Sequence, residues 1–279
     1  MSILTLRQGR SLDLSKAPHV MGILNTTPDS FSDGGCHNTF DSAVIKALQM
    51  LADGASIIDI GGESTRPNAP EVALDEELQR TIPVIKAIRM RSDCIISIDT
   101  SKAEVMKQAV AVGADIINDV RALQEPGALD IAAQLQVPVC LMHMQGAPRT
   151  MQNNPVYTDL ISEINTFFEQ RIDECVKKGI LLENIILDPG FGFGKTLQHN
   201  YQLLKEIGQF RTHGCEVLAG LSRKSMIGNL LSRDTDQRLA GSLAGALIAA
   251  QKGAKIIRVH DVAQTVDVLK VWQATEYGI

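Results

Sequence analysis

The sequence predicts one (β/α)8 TIM barrel, an α/β fold of parallel strands, with a short N-terminal β-hairpin. Short apolar runs recur eight times along the 279 residues, helix-length amphipathic stretches lie between them, and several of those stretches end on a glycine just before the next run. The hairpin is expected within residues 1–18, where "LTLRQGRSLDLS" would close the barrel bottom. The strands expected next are "HVMGILN" (19–25), "SIIDIGG" (56–62), "CIISIDT" (94–100), "DIINDV" (115–120), "PVCLMHM" (138–144), "NIILDPG" (184–190), "EVLAGLS" (216–222) and "KIIRVHD" (255–261). All are short and apolar, as burial on both faces of a parallel sheet requires. Between them, "DSAVIKALQMLADGA", "DEELQRTIPVIKAIRMR", "AEVMKQAVAVGA" and "QRLAGSLAGALIAAQKGA" carry helical patterning. Gly54, Gly113 and Gly253 are each followed by Ala and then a strand, the place of a glycine just past a helix end. No composition break or linker divides the chain, so residues 1–279 are read as one domain of ordinary barrel length. An open doubly wound sheet is the alternative, and it has no reason to stop at eight units.

Composition excludes several classes of function. With 44% hydrophobic residues and no apolar run of transmembrane length, the chain reads as a soluble globular protein with no membrane partner. The stretch "MSILTLRQGR" has no secretory pattern, so a cytoplasmic location is expected. The 5 cysteines are widely spread, without the close pairs that hold zinc or exchange disulfides, and read as reduced packing residues. A net charge of -5 without a basic block argues against nucleic acid as a partner.

In a barrel, catalytic groups gather at the carboxyl ends of the strands. Alternation along each strand places Asn25, Asp59, Asp99, Asn118, Asp188, and Arg258 with His260 on the inward phase. Lys224 lies just past the end of the seventh strand, and His143 lies on the fifth with a facing that alternation does not settle. Beneath them the same strands carry Ile57, Ile95, Ile116, Ile186 and Ile256, so polarity is confined to the exit. Singly, Asp59, Asp99 and Asp188 read better as caps of the following helices. Asn118 reads as a turn residue, Lys224 in "LSRKS" as a solvated lysine and His143 as a hydrogen-bonded core histidine. Arg258 with His260 resists such a reading, because a buried guanidinium without a partner costs several kcal/mol, so an anion is expected opposite them. Independent caps would not all fall on the inward phase, and the joint arrangement therefore reads as a site.

"PGFGFGKT" (189–196) nearly spells a phosphate-cradling loop, but Pro189 stands where the first glycine is required, and the glycine spacing is also wrong for a dinucleotide fingerprint. Gly190, Gly192 and Gly194 are instead expected to turn the backbone tightly over the mouth and leave Phe193 free to pack on a flat ligand. The loops "TTPDSFSDGGCHNT" and "ESTRPNAPEVA" have the length and composition of lids.

Taken together, "MGILNTTPDSFSDGG", "IIDIGGESTRPNA", "ISIDTSK", "IINDV", "CLMHMQGAP", "ILDPGFGFGK", "GLSRKSMIG" and "IIRVHD" resemble the dihydropteroate synthase family of bacterial folate synthesis. The blocks follow family order between residues 19 and 261, nearly the whole chain. Thr26 stands where the family usually has Val, and Asn68 where Gly is common; Asn tolerates positive φ better than most residues, so the loop shape is expected to survive the second change.

The resemblance implies a transferase in which para-aminobenzoate displaces pyrophosphate from hydroxymethyl-dihydropterin pyrophosphate. It implies pterin contacts from Asp188, Asp99, Asn118 and Lys224, with Asp59 supporting that layer, and a catalytic set of Asp99, Lys224, Arg258 and His260. Arg258 and His260 would hold the diphosphate, with Asn25 as an oxygen ligand to Mg2+. Thr65, Arg66, Pro67, Phe193, Lys224 and Ser225 would form the aminobenzoate pocket, and Phe31, Ser32 and Asp33 a lid against water. Dissociative, SN1-like bond breaking is expected, with no protein nucleophile. Sulfonamides are expected as inhibitors, and a homodimer as the assembly. Two other readings stand beside it: a Schiff-base aldolase on Lys224, and a pterin-binding barrel related to the methyltetrahydrofolate methyltransferases.

Overall fold

The computed structural model describes residues 3–26, 36–64, 69–146, 151 and 155–278, with 36–39 in backbone alone. Two short antiparallel strands come first, β1 (Ile3–Thr5) and β2 (Ser11–Asp13), paired through Leu4 and Leu12. Eight parallel strands then close into a barrel: β3 (His19–Asn25), β4 (Ile57–Gly61), β5 (Ile95–Asp99), β6 (Ile116–Asp119), β7 (Val139–Met142), β8 (Ile185–Asp188), β9 (Glu216–Ala219) and β10 (Ile256–Val259). Chain order is also spatial order, and β10 pairs with β3 to complete the ring. The first barrel strand has the limits expected from sequence. The others stop one to three residues earlier at the exit.

Helices wrap the barrel: α1 (Cys36–Ala52), α2 (Leu74–Arg89), α3 (Ala103–Val112), α4 (Ala128–Leu135), α5 (Leu160–Lys177), α6 (Leu197–Glu206), α8 (Leu239–Gln251) and α9 (Val262–Tyr277). A short extra helix, α7 (Ser225–Leu231), sits between β9 and α8. Gly54, Gly113 and Gly253 have φ of 99°, 131° and 102°, the left-handed backbone expected past a helix end.

The period-2 phase sorts the strand residues into two cores. Outward residues Ile58, Ile60, Ile96, Ile98 and Ile117 pack against the helices through Ile85, Ile88, Val105 and Met106. Inward residues Met21, Ile57, Ile116, Cys140, Ile186, Leu218 and Ile256 fill the lower barrel, with Ile95 packed on them. Leu4, Leu6, Leu12 and Leu14 of the hairpin join that inner cluster and close the bottom. Each such leucine contributes about 1.5–3 kcal/mol by leaving water. Arg10 also ties the hairpin to the barrel through the buried carboxylate of Asp115, which accepts from Arg89 at 2.6 Å and from the Ile96 amide at 3.0 Å.

Candidate active site

Polarity begins one layer above the inner aliphatic cluster. Asp59 and Ser97 are in-register neighbours on β4 and β5, both with 0% exposure. Above them, register carries Asn25 to Gly61, Gly61 to Asp99 and Asp99 to Asn118, so the exit of four consecutive strands forms one row. Arg258 reaches across the barrel into both layers. Its Nε donates to Asp59 Oδ2 at 2.6 Å and its Nη2 to Asp99 Oδ2 at 2.7 Å, while Asn118 Nδ2 donates to the same Asp59 oxygen at 3.1 Å. The helices after β4, β5 and β8 have Ala73, Lys102 and Thr196 at their caps, so Asp59, Asp99 and Asp188 are not helix caps.

The anion opposite Arg258 is therefore first of all the protein's own. The sequence reading assigned that place to a ligand; the structure puts Asp59 and Asp99 there, side-on to the guanidinium. Burial pushes the Asp99 carboxyl up to about 7, against the downward pull of Arg258, and the neighbouring Asp59 adds to the rise. Burial alone would lower Arg258, yet the two carboxylates outweigh it and raise the guanidinium further. Two acids sharing one cation leave the cluster an excess acceptor. Asp59 Oδ1 and Ser97 Oγ have no hydrogen-bond partner among the described residues.

In the chain alone His260 is not a second cation. Burial, with Arg258 next, lowers this histidine to about 4. Its Nδ1 lies 3.2 Å from Ser222 Oγ, just beyond the end of β10.

Asp188 ends β8 and accepts from the Gly190 amide at 2.8 Å. Gly190 must be glycine: its φ is 72°, and a Cβ would stand 1.9 Å from the His143 carbonyl. The "GFGFG" loop therefore lies directly on the segment after β7. Lys195 fastens it from inside, 3.0 Å from both the Phe193 carbonyl and His143 Nδ1, with 3% exposure. Burial lowers Lys195 to about 7 and His143 to about 2. His143, with its ring 5.0 Å edge-on from Phe167, is the core histidine of the plainer sequence reading. The inward residue at the exit of β7 is Met142 instead.

Lys224 donates to the Phe191 carbonyl, and its Nζ lies 4.6 Å from the centroid of the Phe193 ring. Phe193 is not free as expected. It is 8% exposed, packed with Met142 and Met151 and flanked by Val120 and Met144. Ser225 opens α7 and is exposed. Asp188 and Arg258 flank the same small residue: a Cβ on Gly220 would be 3.8 Å from Asp188 Oδ2 and 3.9 Å from Arg258 Cβ. Contacts thus run from Asn118 through Asp59, Arg258 and Asp99, and past Gly220 to Asp188. Beyond Asp188 the Gly190 turn leads to Phe191, whose carbonyl holds Lys224. Phe31, Ser32, Asp33, Thr65, Arg66, Pro67 and Asn68 lie outside the described residues.

A cavity of about 400 Å³ lies to one side, between the exits of β4, β5 and β6, lined by Glu63, Glu77, Thr100, Lys102 and Arg121. It shares only Asp99 with the polar cluster, and Lys102 already joins Glu63 and Glu77 there. The barrel mouth, not this cavity, holds the convergent polar groups. Among the described residues no group of three or more His, Cys, Asp or Glu side chains could hold a metal ion. Asn25, half-buried at the end of β3, supplies one neutral oxygen, a donor set that fits a magnesium ion held chiefly by phosphate and water. No helix among the described residues is long and apolar enough to cross a membrane.

Sequence reasoning missed Lys195, Met142 and Ser97. A lysine seven residues past a buried Asp188 in a glycine loop was the available signal for Lys195; for Met142 the inward phase sufficed, had apolar residues been counted.

Known proteins resemble this chain along almost its whole length. The sequence profile of the family described as "Pterin binding enzyme" matches residues 21–260. A protein of Haemophilus influenzae named dihydropteroate synthase is 60% identical over 266 residues, 95% of this chain and 96% of that one. A crystal structure of the Yersinia pestis dihydropteroate synthase with a sulfonamide drug superposes with a TM-score of 0.93 at 55% identity, covering 98% of each chain. The Xanthomonas albilineans dihydropteroate synthase with 4-aminobenzoic acid gives a TM-score of 0.93 at 50% identity, covering 99% of this chain and 98% of that one.

Proposed function

This chain belongs to the pterin-binding enzymes and, within them, to the dihydropteroate synthases, transferases that join a pterin to para-aminobenzoate; on that premise we propose how its residues divide the reaction. The observation that carries the assignment is the cluster of buried carboxylates at the barrel mouth. A pterin presents adjacent N–H donors on one edge, and Asp188, with 6% exposure, is an acceptor matched to that edge. Asp99 and Asn118 take the neighbouring polar atoms, and Lys224 donates to the ring. The diphosphate of hydroxymethyl-dihydropterin pyrophosphate lies against Arg258, His260 and Asn25. Its attraction to Arg258 comes from the edge of the guanidinium that Asp59 and Asp99 do not take.

Mg2+ at Asn25 would neutralise the leaving-group oxygens. The chain's own residues hold the ring, fix the diphosphate and keep water out. With the dihydropterin able to stabilise a cation at its exocyclic carbon, the carbon–oxygen bond breaks first and the aniline nitrogen then attacks. A protein nucleophile has no place in this sequence. Membership of the synthase family sets the aldolase reading aside, and Lys224, engaged by the Phe191 carbonyl and the Phe193 ring, acts as a cation. Phe193, Lys224 and Ser225, together with Thr65, Arg66 and Pro67, would receive para-aminobenzoate.

The test is pyrophosphate release from the pterin diphosphate. It should require para-aminobenzoate and magnesium, and sulfonamides should compete with aminobenzoate. Release at the same rate without aminobenzoate, or strictly noncompetitive inhibition, contradicts the reading. We also infer a homodimer, for which exposed Leu230 and Leu231 of α7 and Ile248 of α8 provide apolar surface; a one-chain mass by sedimentation at micromolar concentration removes it. A cytoplasmic location goes with this function, and recovery of the chain in a membrane fraction would oppose it.

A pH prediction follows from Lys224. Burial lowers its ammonium from 10.5 to about 8, with Asp188 resisting. The folded protein therefore loses this charge as pH rises through about 8, and kcat/KM for aminobenzoate should fall above that point. The unfolded chain keeps the proton up to 10.5, so this group's contribution to stability rises between about 8 and 10.5, and the activity loss is not unfolding. Lys224→Arg should remove the alkaline limb. A wild-type profile flat to pH 10 refutes the assignment.

A further inference from the structure

We propose that Arg238, outside the substrate site, is a positioning residue for it: its guanidinium clamps both ends of the α7 segment and thereby sets Lys224 and Ser225 against para-aminobenzoate. This rests on the aminobenzoate reading above. Arg223, immediately before Lys224, has a φ of 57°, left-handed backbone that a non-glycine residue holds only when its surroundings enforce it. The enforcement is visible. The Arg223 amide donates to Ser242 Oγ at 2.9 Å, and its carbonyl accepts from Arg238 Nη1 at 3.0 Å. Ser242 Oγ donates in turn to the Arg238 carbonyl at 2.8 Å, so both polar backbone groups of Arg223 are fixed by the start of α8.

The other arm of the same guanidinium reaches the far end of α7. Arg238 Nε donates to the Arg233 carbonyl at 3.0 Å, and the Arg233 amide closes back on the Gly228 carbonyl at 3.1 Å. The room for this is made by Gly228, a buried residue of α7. A Cβ there would be 2.3 Å from Arg238 Cζ and 2.4 Å from its Nε. Gly228 has no positive φ, so space for the guanidinium is what calls for glycine at this point. Seven residues make a helix of little intrinsic stability, and this one depends on what holds its ends. The Arg223 side chain then runs to Asp261, its Nε 2.9 Å from Asp261 Oδ2, beside His260. Release of Arg223 from its left-handed turn would swing Lys224 away from the Phe191 carbonyl and the Phe193 ring.

Two substitutions that act on the clamp from opposite sides test this. Gly228→Ala adds a methyl group that favours the helix by propensity and evicts only the tip of a flexible side chain, so the fold survives. Arg238→Met removes the guanidinium. Each is expected to raise KM for aminobenzoate about tenfold, a displacement effect on a binding group, with kcat changing far less. The double variant should be no worse than Arg238→Met alone, because the new methyl group then displaces nothing. Arg238→Lys, able to reach one carbonyl but not both, should restore part of the loss. Losses that multiply in the double variant, or a fall in kcat at unchanged KM, overturn the clamp. Lys224→Met separates the two levels: if it leaves the aminobenzoate KM unchanged, the substrate assignment fails. If it raises that KM while Gly228→Ala does not, only the role of Arg238 fails.

Discussion

Replacing Arg258 with methionine is expected to cost about 3–5 kcal/mol of stability at neutral pH, the range for removing one partner of a buried ion pair. The reason is what it leaves behind. Asp59, with 0% side-chain exposure, and Asp99, with 8%, would lose the cation they share. Asn118 would remain on Asp59, but an amide donor does not neutralise a carboxylate. Asp99, already raised by burial, then favours the protonated form in the folded state still more. A carboxyl raised on folding contributes stability below its unfolded value near 4, and this is lost as pH rises. The gap between Arg258→Met and the wild type should therefore widen from pH 5 to pH 8. A triple variant, Arg258→Met with Asp59→Asn and Asp99→Asn, removes the uncompensated charges and should regain most of the stability in denaturant titrations. It should regain none of the turnover, because the diphosphate and pterin have lost their partners. An Arg258→Met protein as stable as the wild type at pH 8 would show that the cluster is not an ion-pair core.

The contrast between Arg258 and the strands that carry it indicates what was legible in the sequence. Side-chain phase is local, with period 2, so Asp59, Asp99, Asn118, Asp188 and Arg258 could be assigned inward from their own strands, and Ile57 and Ile186 placed beneath them. The level each reaches along the barrel axis depends on the stagger of all eight strands together. That stagger brings Arg258 onto Asp59 and Asp99, 199 and 159 residues away in sequence, and no local pattern encodes it. Charge state was illegible for the same reason. His260 looked like a cation until its burial beside Arg258 was known. Lys195 was hidden by the search for a nucleotide loop: the motif fails, yet the lysine is a buried fastener under the mouth. Arg238 lies in no motif, and Gly228, the last residue of "GLSRKSMIG", gave no sign of a partner ten residues on. Their connection exists only once α7 and α8 are packed, with a Cβ on Gly241 2.4 Å from Ile227 Cγ2.

Asp188→Asn is expected to abolish useful pterin binding while leaving the protein at least as stable as before. Asn and Asp have the same shape, and the asparagine Oδ1 can keep the 2.8 Å bond from the Gly190 amide that holds the loop. The change falls on the second oxygen. Where the carboxylate offers an acceptor, the amide presents an N–H to a pterin edge that is itself a donor. Loss of charge-assisted bonds plus a donor facing a donor should cost about 3–4 kcal/mol, a factor of several hundred in affinity. Stability moves the other way. Burial raises the Asp188 carboxyl, with Lys224 and the Gly190 amide only partly offsetting it, so the ionised form is disfavoured in the folded protein. Whatever stability the acid contributes below its unfolded value near 4 is lost as pH rises, and asparagine has no such loss. The melting temperature of Asp188→Asn should therefore equal or exceed that of the wild type at pH 8, and the advantage should vanish toward pH 4. Calorimetric titration with the pterin alcohol, beside thermal melts at both pH values, reads the two effects separately. Normal binding would take Asp188 out of the pterin site. Weak binding with a lowered melting temperature would make it a structural acid, whereas weak binding in a more stable protein is the signature of a group kept ionised for its ligand at the expense of the fold.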